Sequence, residues 1–135
     1  MTGQTNTLAE YILNHFDRLW NEGREAELLD QFADDAVVTN YPPIDGSHGV
    51  YRGKAEIAQF VRNLLPGFHV ESREFQENGD RVTWYSTVSN DGMRAMGIDS
   101  LDCVTEAVIR NGKIHSFNPT FTPESVAKMQ AIAKQ

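Results

Sequence analysis

Arg81-Val82-Thr83-Trp84-Tyr85-Ser86-Thr87-Val88-Ser89 sets Val82, Trp84, Ser86 and Val88 on one face and Thr83, Tyr85 and Thr87 on the other. A repeat of two is the period of a strand with one buried side. Upstream, Asn78-Gly79 signals a hairpin turn back to a second such stretch, Phe68 to Gln76. Downstream, Asn90-Asp91-Gly92 predicts a turn into a segment from Ala95 to Ile109, long enough to be bent or broken. There Cys103, Thr105, Ala107 and Ile109 share the inner parity, with Val104, Glu106 and Val108 outward. After the turn Arg110-Asn111-Gly112, a last strand runs from Lys113 to Phe121, and alternation puts His115, Phe117 and Pro119 on its inner face. These four strands read as an antiparallel meander.

The first half of the chain has the helical period instead. Thr7-Leu8-Ala9-Glu10 has the form of a capping box, and Leu8, Ile12, Phe16 and Leu19 or Trp20 then make one apolar stripe, ended by Gly23. A shorter helix is expected from Arg24 to Ala33 and a third from Lys54 to Leu65, stopped by Pro66-Gly67. Between them Ala36-Val37-Val38-Thr39 reads as a strand and Tyr41 to Gly53 as a long loop suited to a pocket rim. Thr122-Pro123-Glu124 opens a terminal helix, its apolar side Val126, Met129 and Ala133. Helices segregated from strands predict an α+β fold. A curved, cone-shaped antiparallel sheet is closed by the N-terminal helices around a small-molecule cavity.

Composition narrows the function classes. The 135 residues, 40 % of them apolar, suit a single domain over 1–135. Twelve Lys and Arg against nineteen Asp and Glu give a net charge of -7, which repels nucleic acid and anionic membrane surfaces. One cysteine, Cys103, makes no intrachain disulfide, no stretch approaches a membrane span, and the polar N-terminus lacks the pattern of a signal peptide. A cytoplasmic protein is expected. His48, His69 and His115 are scattered without metal-ligand spacing, and Asp45-Gly46-Ser47-His48-Gly49 lacks the setting of a phosphate loop. Neither metal nor cofactor is therefore expected.

This element order, with Trp20-Asn21-Glu22-Gly23, Phe32-Ala33-Asp34-Asp35-Ala36-Val37, Tyr51-Arg52-Gly53-Lys54-Ala55-Glu56-Ile57 and Asn111-Gly112-Lys113-Ile114, resembles the nuclear transport factor two-like superfamily. Within it the SnoaL-like branch is nearest, beside ketosteroid isomerases and limonene epoxide hydrolases. The resemblance implies the cone fold, yet one cone hosts many chemistries. Carried over position by position, the isomerase tyrosine falls on Phe16, its base on Asn40 and its protonated aspartate near Thr105. The cyclase carboxylate falls on Pro119. Of the hydrolase set only an asparagine matches, as Asn40. The chemistry those families are known for is thus missing its acids.

Two readings of function remain. One is a cofactor-independent isomerase, cyclase or dehydratase acting on a small lipophilic metabolite. In it His115 is the general acid/base, since imidazole exchanges protons near neutrality, and Asn40 is a hydrogen-bond donor. Phe16, Trp20, Tyr41, Phe60, Trp84, Ser86, Thr105 and Phe117 would contact the substrate. Asp99 and Asp102 are weaker candidates at the cone's mouth. The other reading is a non-catalytic carrier of a hydrophobic ligand. Either way Val104 and Val108 on the outer sheet face predict a homodimer.

Overall fold

The computed structural model describes residues 8–41 and 49–133. Its elements run α1 (Leu8–Glu22), α2 (Glu25–Asp30), β1 (Phe32–Thr39), β2 (Val50–Arg52), α3 (Gly53–Leu64), β3 (His69–Asn78), β4 (Arg81–Ser89), α4 (Asp91–Ala95), β5 (Leu101–Arg110), β6 (Lys113–Phe121) and α5 (Pro123–Ala133). Six strands form one unclosed, curved sheet in the order β2-β1-β6-β5-β4-β3. The meander β3 to β6 is antiparallel, as expected, and so is the pair β1–β2. β1 runs parallel to β6, so the sheet is mixed. No hairpin joins those two strands, and a long crossover leaves their direction free.

Curvature has identifiable sources. The pairing of β3 with β4 slips between Arg73 and Gln76, where Glu74 takes a φ of 60°, and that of β5 with β6 slips between Val108 and Ile109. Each extra residue bends its strand and sharpens the twist. The bend on β3 brings Phe75 onto Trp84, with ring centroids 5.7 Å apart. Burial on β4 and β5 follows the alternation read from the sequence: Val82, Trp84, Ser86, Val88, Leu101, Cys103, Thr105 and Ala107 all face inward.

Helices α1 and α3 cover the concave side. Leu13, Phe16, Leu19 and Trp20 of α1 and Ile57, Phe60, Val61 and Leu64 of α3 are buried against the sheet. Gly23 ends α1 with a φ of 69°, as its position predicts. One turn beyond Asp17, the Asn21 amide acts as a piece of sheet. Its Nδ2 donates to the Val70 carbonyl at 3.0 Å, and its Oδ1 accepts the Val70 N–H at 2.7 Å. That clamp fixes α1 on β3 and with it everything the last turns of α1 present to the interior. Asn21→Ala removes both bonds and is expected to cost about 1–3 kcal/mol, read as a lowered urea midpoint with an unchanged slope.

Several expectations are corrected. α2 stops at Asp30 because Phe32 enters β1 and pairs with Ile114, so the helix forecast to Ala33 loses its last turn to the sheet. The loop forecast from Tyr41 to Gly53 contains β2, which buries Tyr51 against Phe60 at 4.9 Å. Asn90 caps a short helix instead of opening a hairpin. Its Oδ1 accepts the Met93 N–H and its Nδ2 donates to the Leu64 carbonyl, so the next strand starts at Leu101, not Ala95. The capping threonine Thr7 lies outside the described residues, whereas the Thr122 hydroxyl does accept the Ser125 N–H at 3.3 Å. Val126, Met129 and Ile132 of α5 pack against the core.

Candidate functional site

Between α1, α3 and the concave sheet lies a cavity of about 60 Å³, open to solvent on one side. Aromatic rings dominate its wall: Phe16, Trp20, Phe60, Phe68, Trp84, Phe117 and Phe121. Trp20 lies 4.6 Å from Phe68 and edge-on to Phe60, and Phe16 meets Phe117 edge-on at 5.4 Å. The polar points on this wall are Asp17, Asn40, Ser86, Cys103 and Thr105. A cavity needs roughly 10–15 Å³ to hold one water and about 150 Å³ to hold benzene, so this one admits a few waters. A molecule of a few heavy atoms therefore fits as the walls stand. A ring needs more room than the walls leave as they stand.

Asp17 is the acid that the sequence reading missed. It sits on the face that α1 shares with Leu13 and Trp20, four residues after one and three before the other, so the helix turns it inward. Burial pushes its carboxyl up from 3.8 to about 6, and a hydrogen bond from the Ser72 side chain holds it from rising further. Among the described residues no lysine, arginine or histidine forms an ion pair with it. The Ser72 hydroxyl lies 3.0 Å from that of Ser86, its direct partner across β3 and β4. Asp17 and Ser86 both reach the cavity wall, and Ser72 ties Ser86 to β3 behind it.

Asn40 follows β1 and is 3 % exposed. Its backbone N–H donates to the Gly49 carbonyl at 2.8 Å, while its side-chain amide has no hydrogen-bond partner among the described residues. A buried amide is satisfied by a protein neighbour, a water or a ligand. Thr105, 2 % exposed, is in contact with Cys103 at 3.8 Å between oxygen and sulfur. Burial pushes the Cys103 thiol up to about 11, so it stays protonated and is no nucleophile.

His115 does not reach the cavity. On β6, Ile114 pairs with Ile109 and Ser116 with Val108, leaving His115 as the extra residue of a bulge. The bulge resets the alternation, so that Ile114 and Phe117 both point inward and the His115 side chain is 31 % exposed, with Nδ1 4.0 Å from Asp35. Tyr41 is also absent from the wall. It is 64 % exposed and held through its backbone to Pro119 and Phe121. Asp99 is exposed, and Asp102 accepts from the Thr87 hydroxyl at 2.7 Å on the outer face. Phe16, Trp20, Phe60, Trp84, Ser86, Thr105, Phe117 and Asn40 do converge on one space. His48 lies outside the described residues. Among the described residues no cluster of three metal-ligating side chains occurs, and no helix is long and apolar enough to cross a membrane.

No curated protein matches the chain by sequence. Solved structures of the same fold do. An NTF2-like protein of unknown function from Cytophaga hutchinsonii ATCC 33406 is 12 % identical over 93 % of this chain and 99 % of its own, with a TM-score of 0.69. TerC, co-crystallised with polyporic acid, is 22 % identical over 94 % and 99 %, with a TM-score of 0.71. A protein with a ketosteroid isomerase-like fold from Catenulispora acidiphila DSM 44928, in complex with trimethylamine, is 17 % identical over 89 % and 92 %, with a TM-score of 0.69. At these identities the likeness is one of fold. The family model for the SnoaL-like domain matches residues 12–117, from within α1 to within β6, and the chain belongs to that family.

Proposed function

We propose that this chain is a cofactor-independent enzyme that moves a proton on a small lipophilic molecule, as an isomerase, cyclase or dehydratase does. The observation that carries the reading is a carboxyl group in an aromatic cavity, lifted to about 6 by burial, where it can both take and return a proton near neutrality. Asp17 removes a proton from carbon beside a carbonyl, and the electron pair moves to the carbonyl oxygen. Asn40, whose side-chain amide has no partner among the described residues, and Thr105 donate to that oxygen as its charge grows. The protonated Asp17 then returns the proton to the same carbon, which is exchange, or, where a carbon–carbon double bond lies next to that carbon, to the far end of the dienolate, which completes an isomerisation. Two proteins of this fold were crystallised with small molecules, polyporic acid and trimethylamine, which suits a small-molecule use of the fold here.

Incubation with a panel of small ketones in deuterated water tests this directly. The reading predicts deuterium at the carbon next to the carbonyl of at least one of them, detected by proton NMR. Binding without exchange would instead establish the second reading, a carrier, which draws support from the asparagine and proline at the positions where related enzymes carry acids. A homodimer and a cytoplasmic location belong to the same proposal. Val104 and Val108 are half-buried and Tyr85 is 43 % exposed on the outer sheet face, and the one thiol is buried. Light scattering at micromolar concentration should give twice the 15.2 kDa chain mass, and a monomer would overturn the dimer.

A further inference from the structure

We propose that the cavity also takes a small protonated amine, with its N–H against Asp17 and its carbon atoms against the aromatic rings. This rests on the cavity being a ligand site, as the proposed function has it, and not on catalysis there. Asp17 is half-buried on the wall, and at pH 7.5 its carboxyl is ionised, so the space faces a negative charge. Among the described residues no lysine, arginine or histidine forms an ion pair with it. A carboxylate partly withdrawn from water gains from a counter-charge brought to it. The rest of the wall is mostly aromatic, with Trp20 lying 4.6 Å from Phe68 and Trp84 6.2 Å from Phe117. Aromatic faces carry negative potential and attract cations, most strongly where water is excluded. The unpaired carboxylate and the rings around it thus favour the same occupant.

Nearby charges are engaged elsewhere or point outward. Arg73 donates to the Thr87 hydroxyl at 3.0 Å on the outer face, Arg18 is exposed, and the Cys103 thiol on the cavity wall stays protonated. Glu71 and Glu74 on β3 are exposed, and His15 is half-buried. The net charge of -7 draws cations toward the protein from solution. Volume then sets the size of the ligand. A space of about 60 Å³ takes a few heavy atoms, so a dimethylammonium ion fits where a ring does not. Its N–H serves the carboxylate and its methyl groups serve the rings. Ammonium brings the same charge without carbon and gives up more hydration on entry, which makes it the poorer occupant. A bound amine competes with the neutral substrate for the one space.

The test is an NMR titration of the protein at pH 7.5 and constant ionic strength with dimethylammonium, ethanol and ammonium, the first two being bent chains of equal length. Dimethylammonium should bind with a dissociation constant of roughly millimolar order, which is what so small a molecule can supply, and shift the indole signals of Trp20 and Trp84. It should bind about 10-fold more tightly than ethanol or ammonium. In Asp17→Asn the preference over ethanol should shrink to about 2-fold or less. No binding of dimethylammonium, ethanol or ammonium bound as tightly, or a preference that survives in Asp17→Asn would each overturn the proposal. Adding dimethylammonium to the ketone exchange assay separates this proposal from the catalytic reading. Competitive slowing of exchange is expected. Exchange that proceeds undisturbed overturns the amine site alone, and amine binding without exchange of any ketone overturns the catalytic reading alone.

Discussion

Asp17→Asn is expected to abolish proton exchange, lowering turnover of any identified substrate by about 10²–10⁴-fold, the span that a positioned acid/base contributes. The asparagine keeps the shape and can still hydrogen-bond to Ser72 but takes no proton at neutral pH, so binding should persist while turnover falls. In the parent protein kcat/KM should climb with pH through about 6, since the base must be ionised in the free protein. Stability should move the opposite way. The folded state holds this carboxyl above its unfolded value of 3.8, so the native protein binds more protons between 3.8 and about 6, and stability contributed by Asp17 is lost as pH rises through that window. The parent should therefore lose stability relative to Asp17→Asn between pH 3.5 and pH 7.5, by at most on the order of 3 kcal/mol. Paired urea titrations at the two pH values read that difference. Equal differences at both would show that Asp17 titrates normally.

Phe16→Ala should be the most damaging substitution in the cavity wall. Phe16 is 1 % exposed and meets Trp20, Phe32 and Phe117 edge-on, at 6.1, 5.6 and 5.4 Å. It therefore joins α1 to β1 and β6 across the core. Truncation removes the ring's transfer energy and three aromatic contacts and leaves a void that rigid neighbours cannot fill, a cost of about 3–5 kcal/mol. The melting temperature should fall by roughly 10–15 °C. The same change enlarges a cavity of about 60 Å³ by most of a ring, so ring-sized ligands that bind the parent weakly should bind Phe16→Ala more tightly. A loss under 1 kcal/mol would mean that the aromatic cluster is not the packing centre described.

The architecture is legible in the sequence because most of it rests on period. Val82, Trp84, Ser86 and Val88 alternate without interruption, and their partners on β5 inherit the register, so the inner face can be named from the residues alone. Parity fails where a strand inserts a residue. His115 is the extra residue of a bulge that no local sequence signal marks, so alternation carried along the strand assigns it to the wrong face. Asn90-Asp91-Gly92 carries both turn and capping chemistry, and the buried bond from Asn90 to Leu64, 26 residues away, decides for the helix. Asp17 does leave a trace. The expected stripe centres on Ile12 and Phe16, but the helix buries Leu13, Phe16 and Trp20, and a carboxylate between Leu13 and Trp20 is an acid inside an apolar face. Such a residue is a candidate for function on its helical position alone. Resemblance puts Asn40 at the cavity, but its burial beside Ser86 and Thr105 depends on neighbours distant in sequence and shows only in the folded chain.

Carbon-detected NMR titration of the Asp17 side chain goes to the root of this reading. A midpoint near 6 is predicted, raised further when an apolar ligand displaces water from the cavity. A midpoint near 3.8, indifferent to ligand, would place the carboxylate in bulk solvent and leave the cavity without its acid.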